Sequence, residues 1–139
     1  MYSKIMVPVD LQHIEKIDKS LQCAAELAGI WDSVVCYVAV TGRVPNRVAP
    51  SPEKFEVEMN MFAHEQRDRF GIETEYKVVS SVDVPVELDD KILGAIDEIG
   101  ADLVVMASHV PGVPDRLHLM SSNAAHIVRH ADVSVFVVR

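Results

Sequence analysis

Positive charge is what this chain has least of. Its 139 residues carry 13 Lys and Arg against 21 Asp and Glu, a formal charge of −8 at pH 7. Non-specific binding to nucleic acid or to an acidic membrane needs a positive footprint, so neither is an expected partner. A small anion is not excluded, because backbone N–H groups can hold one locally. Cysteine is also scarce. Cys23 and Cys36 form no CxxC and have no Cys/His companions at metal spacing. Each lies in an apolar segment, which favours a buried free thiol over a disulfide or redox centre. No apolar run approaches the ~20 residues of a membrane span. The N-terminus passes straight into Lys4-Ile5-Met6-Val7 with no leader-like segment. A soluble, cytoplasmic protein is the expectation. Catalytic signatures are missing as well: there is no Gly-x-Ser-x-Gly elbow and no Gly-x-x-x-x-Gly-Lys-Ser/Thr loop. Ser108 and His109 are neighbours, and neighbours at a strand end point to opposite sides, which argues against a nucleophile–base pair. The chain is therefore expected not to be an enzyme.

What is present is apolar patterning. Nearly half of the residues (49%) are hydrophobic, enough for one domain over residues 1–139 with a single substantial core. Ile5 to Val9 reads as a buried strand that ends at Pro8, leaving Asp10 at its carboxyl end. Ile14, Ile17, Leu21, Ala24, Ala25 and Ala28 share one helical face, with Gly29 as the expected stop. Val34 to Val40 is a second strand. Thr41 to Pro52 is a Pro-rich loop, and Glu53 to Phe70 a helix with Phe55, Met59, Phe62 and Ala63 inward. Glu73 to Val79 reads as a strand, and a helix is expected from about Leu88 to Ile99, closed by Gly100. Leu103 to Met106 is continuously apolar, as a strand covered on both faces should be. A polar, Pro- and Gly-marked loop leads to a helix for which Ser121, Ser122 and Asn123 are N-cap candidates. Val133 to Val138 is the last strand. Alternation of this kind means parallel strands joined by right-handed crossovers, hence a three-layer α/β sandwich around a five-stranded parallel sheet.

In such a sheet, anions bind where strand ends meet helix N-termini. The segment from Ala101 to Arg139 supplies that arrangement. Asp10 has two readings, an acceptor for ribose hydroxyls or a cap for the turn that follows. Ser122 either meets a phosphate through its hydroxyl and N–H or caps its own helix. His109 either faces a ligand or packs against its loop. Arg116 and His118 either add positive charge for a phosphate or are exposed loop residues. His126 and His130 are four apart on a helix, a spacing that can hold a metal, but no carboxylate or third histidine is placed in sequence to complete such a site.

Val7-Pro8-Val9-Asp10, Ala101-Asp102-Leu103-Val104-Val105-Met106, and Val128-Arg129-His130-Ala131 followed by Val135-Phe136-Val137-Val138-Arg139 resemble the universal stress protein family. The likeness covers essentially the whole chain. Ala107-Ser108-His109-Val110-Pro111-Gly112 with Ser122-Asn123-Ala124-Ala125 resembles a branch with Ala-Ser-His in place of the first glycine turn. The resemblance implies a strand order of 3-2-1-4-5 in a nucleotide-binding α-hydrolase-like fold. It implies a homodimer paired through the last strand and, in members that bind it, ATP. Adenine and ribose contacts would come from Pro8, Val9, Asp10, Val40 and Met106. Phosphate contacts would come from Ala107, Ser108, His109, Gly112, Ser121, Ser122, Asn123 and Ala124. The family's Gly-x-x-Gly, nine residues, Gly-Ser/Thr motif is mostly absent here: Ala107, Val110 and Ser121 stand at its glycines, with Gly112 a possible substitute. Three roles follow from this resemblance: a nucleotide-binding stress regulator with an unidentified protein partner, a dimeric interaction module that binds no nucleotide, or a slow ATP hydrolase.

Overall fold

The computed structural model describes residues 1–45, 48–108 and 124–139. Five strands, β1 (Lys4–Pro8), β2 (Val34–Thr41), β3 (Thr74–Ser80), β4 (Leu103–Ala107) and β5 (Ser134–Val138), form one sheet in the order β3-β2-β1-β4-β5. Every pairing is parallel. The strand order and the layers expected from the sequence are both present.

Side-chain alternation divides the core in two. Ile5, Val7, Val35, Tyr37, Ala39, Leu103 and Val105 face one side of the sheet. There they meet α1 (Ile14–Trp31) through Ile17, Leu21, Ala24 and Ala28, and α2 (Pro52–Phe70) through Phe55, Met59, Phe62 and Ala63. The intervening residues Met6, Cys36, Val38, Val104 and Met106 face the other side. They meet Leu88, Ile92, Ala95 and Ile96 of α3 (Val84–Ile99), and Ala124 and Ile127 of α4 (Ala124–His130). Strands buried on both faces cannot alternate apolar with polar, which explains the continuous apolar runs. Each fully buried Val, Leu, Ile, Phe or Met among these contributes roughly 1.5–3 kcal/mol by leaving water.

Helix ends depart from expectation in two places. α1 does not stop at Gly29. It runs to Trp31, and Asp32 takes the left-handed conformation (φ 54°) with its N–H on the Ala28 carbonyl. Gly29 lies on the exposed face, where a Cβ would meet nothing within 4 Å. The extra turn is anchored by Trp31, whose ring meets Tyr2 edge-on at 5.0 Å. A short polar side chain such as Asp tolerates the left-handed region. α3 begins at Val84 rather than near Leu88, because Pro85 fits the first turn of a helix, where no N–H is needed. By contrast Gly71 (φ 65°) and Gly100 (φ 69°) close α2 and α3 where the sequence placed them.

Asp102 ties the two central strands together at their entrance. Its carboxylate accepts from the Ser3 N–H (2.9 Å), the Lys4 N–H (3.1 Å) and the Ser3 hydroxyl (2.8 Å), while its own N–H donates to the Lys4 carbonyl (3.1 Å). Partial burial pushes the Asp102 carboxyl up, but the hydrogen bonds from Ser3 and Lys4 outweigh it and hold the group below its ordinary value. A depressed folded-state pKa stabilises the protein above the unfolded value, and that contribution is lost as pH falls through the folded one. Asp102→Ala is expected to cost about 1–2 kcal/mol at pH 7, low in the range for charged hydrogen bonds because water reaches the carboxylate. Urea titrations of both proteins should show the gap narrowing once the pH drops below about 4; a gap that does not change with pH would contradict this role.

Candidate functional site

The site is built by the middle strand. β1 runs beside β2 over five residues, from Lys4–Val34 to Pro8–Val38, and the Val9 N–H continues the ladder to the Val38 carbonyl at 2.8 Å. Beside β4 it is in register over two residues only, Ile5–Leu103 and Met6–Val104. The chain leaves β1 toward β2 and arrives at β4 from the other side, so the connections part here, as at the ligand-binding switch point of open α/β sheets.

At the carboxyl ends of β1 and β2 lies a cleft of about 460 Å³, a usual size for a small-molecule site. Val9, Val40, Phe55, Val84 and Leu88 give it apolar walls. Asp10, Asp83 and Arg43 bring charge to its rim. Asp10 is the best-defined of these. Its Oδ1 accepts from the Gln12 N–H at 3.0 Å, capping the 3-10 turn Leu11–His13, and its Oδ2 meets His13 Nδ1 at 2.8 Å. The capping reading of Asp10 is therefore seen directly.

The start of α3 forms another wall, and the turn that leads into it is held by Glu87. Glu87 folds back so that its Oε2 accepts from the Ser81 hydroxyl (2.5 Å) and the Val82 N–H (3.0 Å). The Ser81 hydroxyl first, then the Val82 amide, hold the Glu87 carboxyl below its ordinary value. An acidic residue in the first turn is also favoured by the helix dipole.

Of the residues nominated from sequence, Val9, Asp10 and Val40 come together in this cleft. Pro8 ends β1 beneath it, buried and paired with Val38. Met106 is 1% exposed, with its side chain in the core under α3 and α4. Ala107 pairs with Val138. Ser108 and Ala124 line a separate shallow groove with Lys19, Cys23, Phe136 and Val138. His109, Gly112, Ser121, Ser122 and Asn123 lie outside the described residues, as do Val110, Arg116 and His118.

Thr41, Gly42, Arg43 and Val82 to Pro85 also line the cleft and were not nominated. The Pro- and polar-marked loops after the second and third strands were the only signal for them. His126 does have a carboxylate nearby: Asp89 of α3 approaches its Nδ1 at 3.9 Å. The gap between two helices in sequence concealed that neighbour. Among the described residues no group of three or more His, Cys, Asp or Glu could hold a metal ion. Burial pushes the Cys36 thiol up to about 11, so it is protonated at neutral pH, and Cys23 is shifted in the same direction, also by burial. No helix among the described residues is long and apolar enough to cross a membrane.

An open parallel sheet whose middle strand carries a carboxylate into a switch-point cleft defines the class, a doubly wound α/β sandwich. The comparisons narrow it. The family model described as "Universal stress protein family" matches residues 1–139. Universal stress protein G of Shigella flexneri is 29% identical over 148 residues, and that of Salmonella typhimurium 32% identical over 152 residues, each alignment covering 100% of both chains. A universal stress protein of Archaeoglobus fulgidus has the same fold, with a TM-score of 0.71 at 21% identity and full coverage of both chains. The same holds for an Archaeoglobus fulgidus family member in complex with dAMP (TM-score 0.67, 21% identity, 99% and 98% covered) and for a universal stress protein in complex with cAMP (0.69, 15%, 99% and 97%). The chain belongs to the universal stress protein family.

Removing the Glu87 cap tests the description of the α3 wall. In Glu87→Ala the amides of Val82 and Asp83 should exchange with solvent severalfold faster, with little change at Ile92 and Ile96 further along the helix. Hydrogen exchange read by NMR checks this, and unchanged rates at Val82 would show that the carboxylate does not hold the turn.

Proposed function

We propose that this protein is a regulatory adenine-nucleotide-binding member of its family, acting in the stress response as a homodimer. The observation that carries this reading is the cleft at the ends of β1 and β2, apolar at Val9, Val40 and Leu88 and carrying the Asp10 carboxylate. A flat apolar base suits such walls, and a carboxylate is a natural acceptor for sugar hydroxyls. The dAMP and cAMP complexes of family members with this fold support the ligand class. Pro8, Val9, Asp10 and Val40 would serve the base and ribose. The phosphates are assigned to the β4–α4 side, from Met106 to Ala124, following the resemblance to the family. ATP is the expected nucleotide. Asp10 is engaged in holding a turn, and we assign it no catalytic step.

The dimer is proposed through β5. It is an edge strand, and Ser134–Val138 contains no Pro or Lys to blunt it. The Ser108 N–H bonds the Val138 carbonyl, so Ser134, Phe136 and Val138 turn their backbone groups toward β4. Val135 and Val137 then present theirs outward, where a second copy could pair with them.

Thermal denaturation with AMP and ATP tests the ligand. At about 100 times Kd either nucleotide should stabilise the protein by about 2.7 kcal/mol. No shift with either would leave only the dimeric scaffold, and turnover of labelled ATP would replace the regulatory reading with a hydrolase. For the assembly, sedimentation should show a dimer at micromolar concentration and a folded monomer for Val137→Pro, which removes one outward amide. A monomeric wild type would exclude pairing through β5.

A further inference from the structure

The cleft holds two carboxylates, and the fold uses them differently. Asp10 accepts from the Gln12 N–H and meets the His13 ring. Asp83 is the N-cap residue of α3, where an Asp side chain ordinarily accepts from the first amides of its helix. Here it makes no such bond. Glu87 has that task instead, with Oε2 on the Val82 N–H at 3.0 Å and on the Asp83 N–H at 3.5 Å. Among the described residues no hydrogen bond or ion pair engages the Asp83 carboxylate, although Arg43 lines the same cleft.

The sheet sets Asp83 apart from Asp10. β1, β2 and β3 are consecutive neighbours, with Asp10 just after β1, Val40 and Thr41 ending β2, and Asp83 after β3. The Ser81 N–H bonds the Thr41 carbonyl at 2.9 Å, so the turn after β3 lies alongside the end of β2. A Cβ on Gly42 would stand 3.4 Å from the Val84 side chain, which brings the chain after β2 against the start of α3. Two strand spacings, roughly 10 Å, separate the strand ends that carry the two carboxylates. A nucleoside spans a comparable length. With its ribose at Asp10 and its base along Val40 and Leu88, the far edge of the base arrives at Asp83.

We infer that Asp83 reads the nucleobase, its carboxylate accepting a hydrogen bond from the exocyclic amine of adenine. This rests on the nucleotide reading above. An ionised carboxylate only accepts, and the adenine amine is a donor. A hydrogen bond to a charged acceptor is stronger than one between neutral groups. A purine without the amine presents only a C–H at that edge and leaves the carboxylate to water. The contact between Asp10 and the ribose is common to both ligands, so it contributes nothing to the choice. Asp83 then determines which base the cleft prefers, while Asp10 serves any ribonucleoside.

The test is titration calorimetry with AMP and with purine riboside 5′-monophosphate, which lacks only the amine, on wild type, Asp83→Asn and Asp83→Ala. Both variants should fold, because Glu87 rather than the Asp83 side chain holds the turn. Wild type should prefer AMP by about tenfold, the low end for a hydrogen bond to a charged group, since the rim is open to water. Asp83→Asn keeps a neutral acceptor and should prefer AMP by about threefold. Asp83→Ala should bind the two alike, through weaker binding of AMP alone. Equal weakening of both nucleotides in Asp83→Ala, or an unchanged ratio, would overturn the role of Asp83 while leaving nucleotide binding intact. A wild type without preference would overturn it too, and a wild type that binds neither nucleotide would overturn both readings.

Discussion

The structure depends on β1 being shared unequally. It is zipped to β2 along its full length and to β4 only near its start. At that start, Asp102 gathers the amides of Ser3 and Lys4, which locks β1 against β4 where they remain in register. Firm at one end and released at the other, the pair can separate at its tips without weakening the sheet. The cleft and the Asp10 turn both lie at the released end.

Electrostatics divides labour along the same line. The chain is acidic overall, yet its best-placed carboxylates are internally engaged. Asp102 fastens strands, Glu87 caps the start of α3, and Asp10 closes the turn between β1 and α1. Each meets backbone N–H groups, the local positive charge available in a protein with few cations. Arg43 is the one Lys or Arg among the described residues that line the cleft.

Much of this was legible in the sequence. Continuous apolar strands, helical faces such as Ile17-Leu21-Ala24-Ala28, and the glycines at 71 and 100 carried architecture and element order. The resemblance supplied the strand order. Helix ends were read less well. Gly29 looked like a stop, but Trp31 found Tyr2 across the sheet's entrance and drew the helix onward. Asp89 could not be paired with His126 because they sit on helices 37 positions apart in sequence. Nominating Val9, Asp10 and Val40 together rested on the resemblance, and the cleft unites them through strand pairing. The loops that complete it, around Arg43 and Asp83, carry little periodicity and were not nominated.

The sequence by itself determined the alternation of strands and helices, the two-faced burial of the sheet and the acidic character, because these follow from local periodicity and composition. Tertiary structure alone decided that Val40, Phe55 and Leu88 share a wall, that Glu87 holds the turn before α3, and that Asp10 meets both the Gln12 amide and the His13 ring. Those relations depend on how separate segments are brought into register or on the path of a single tight turn, and neither is encoded in the spacing of apolar residues along the chain.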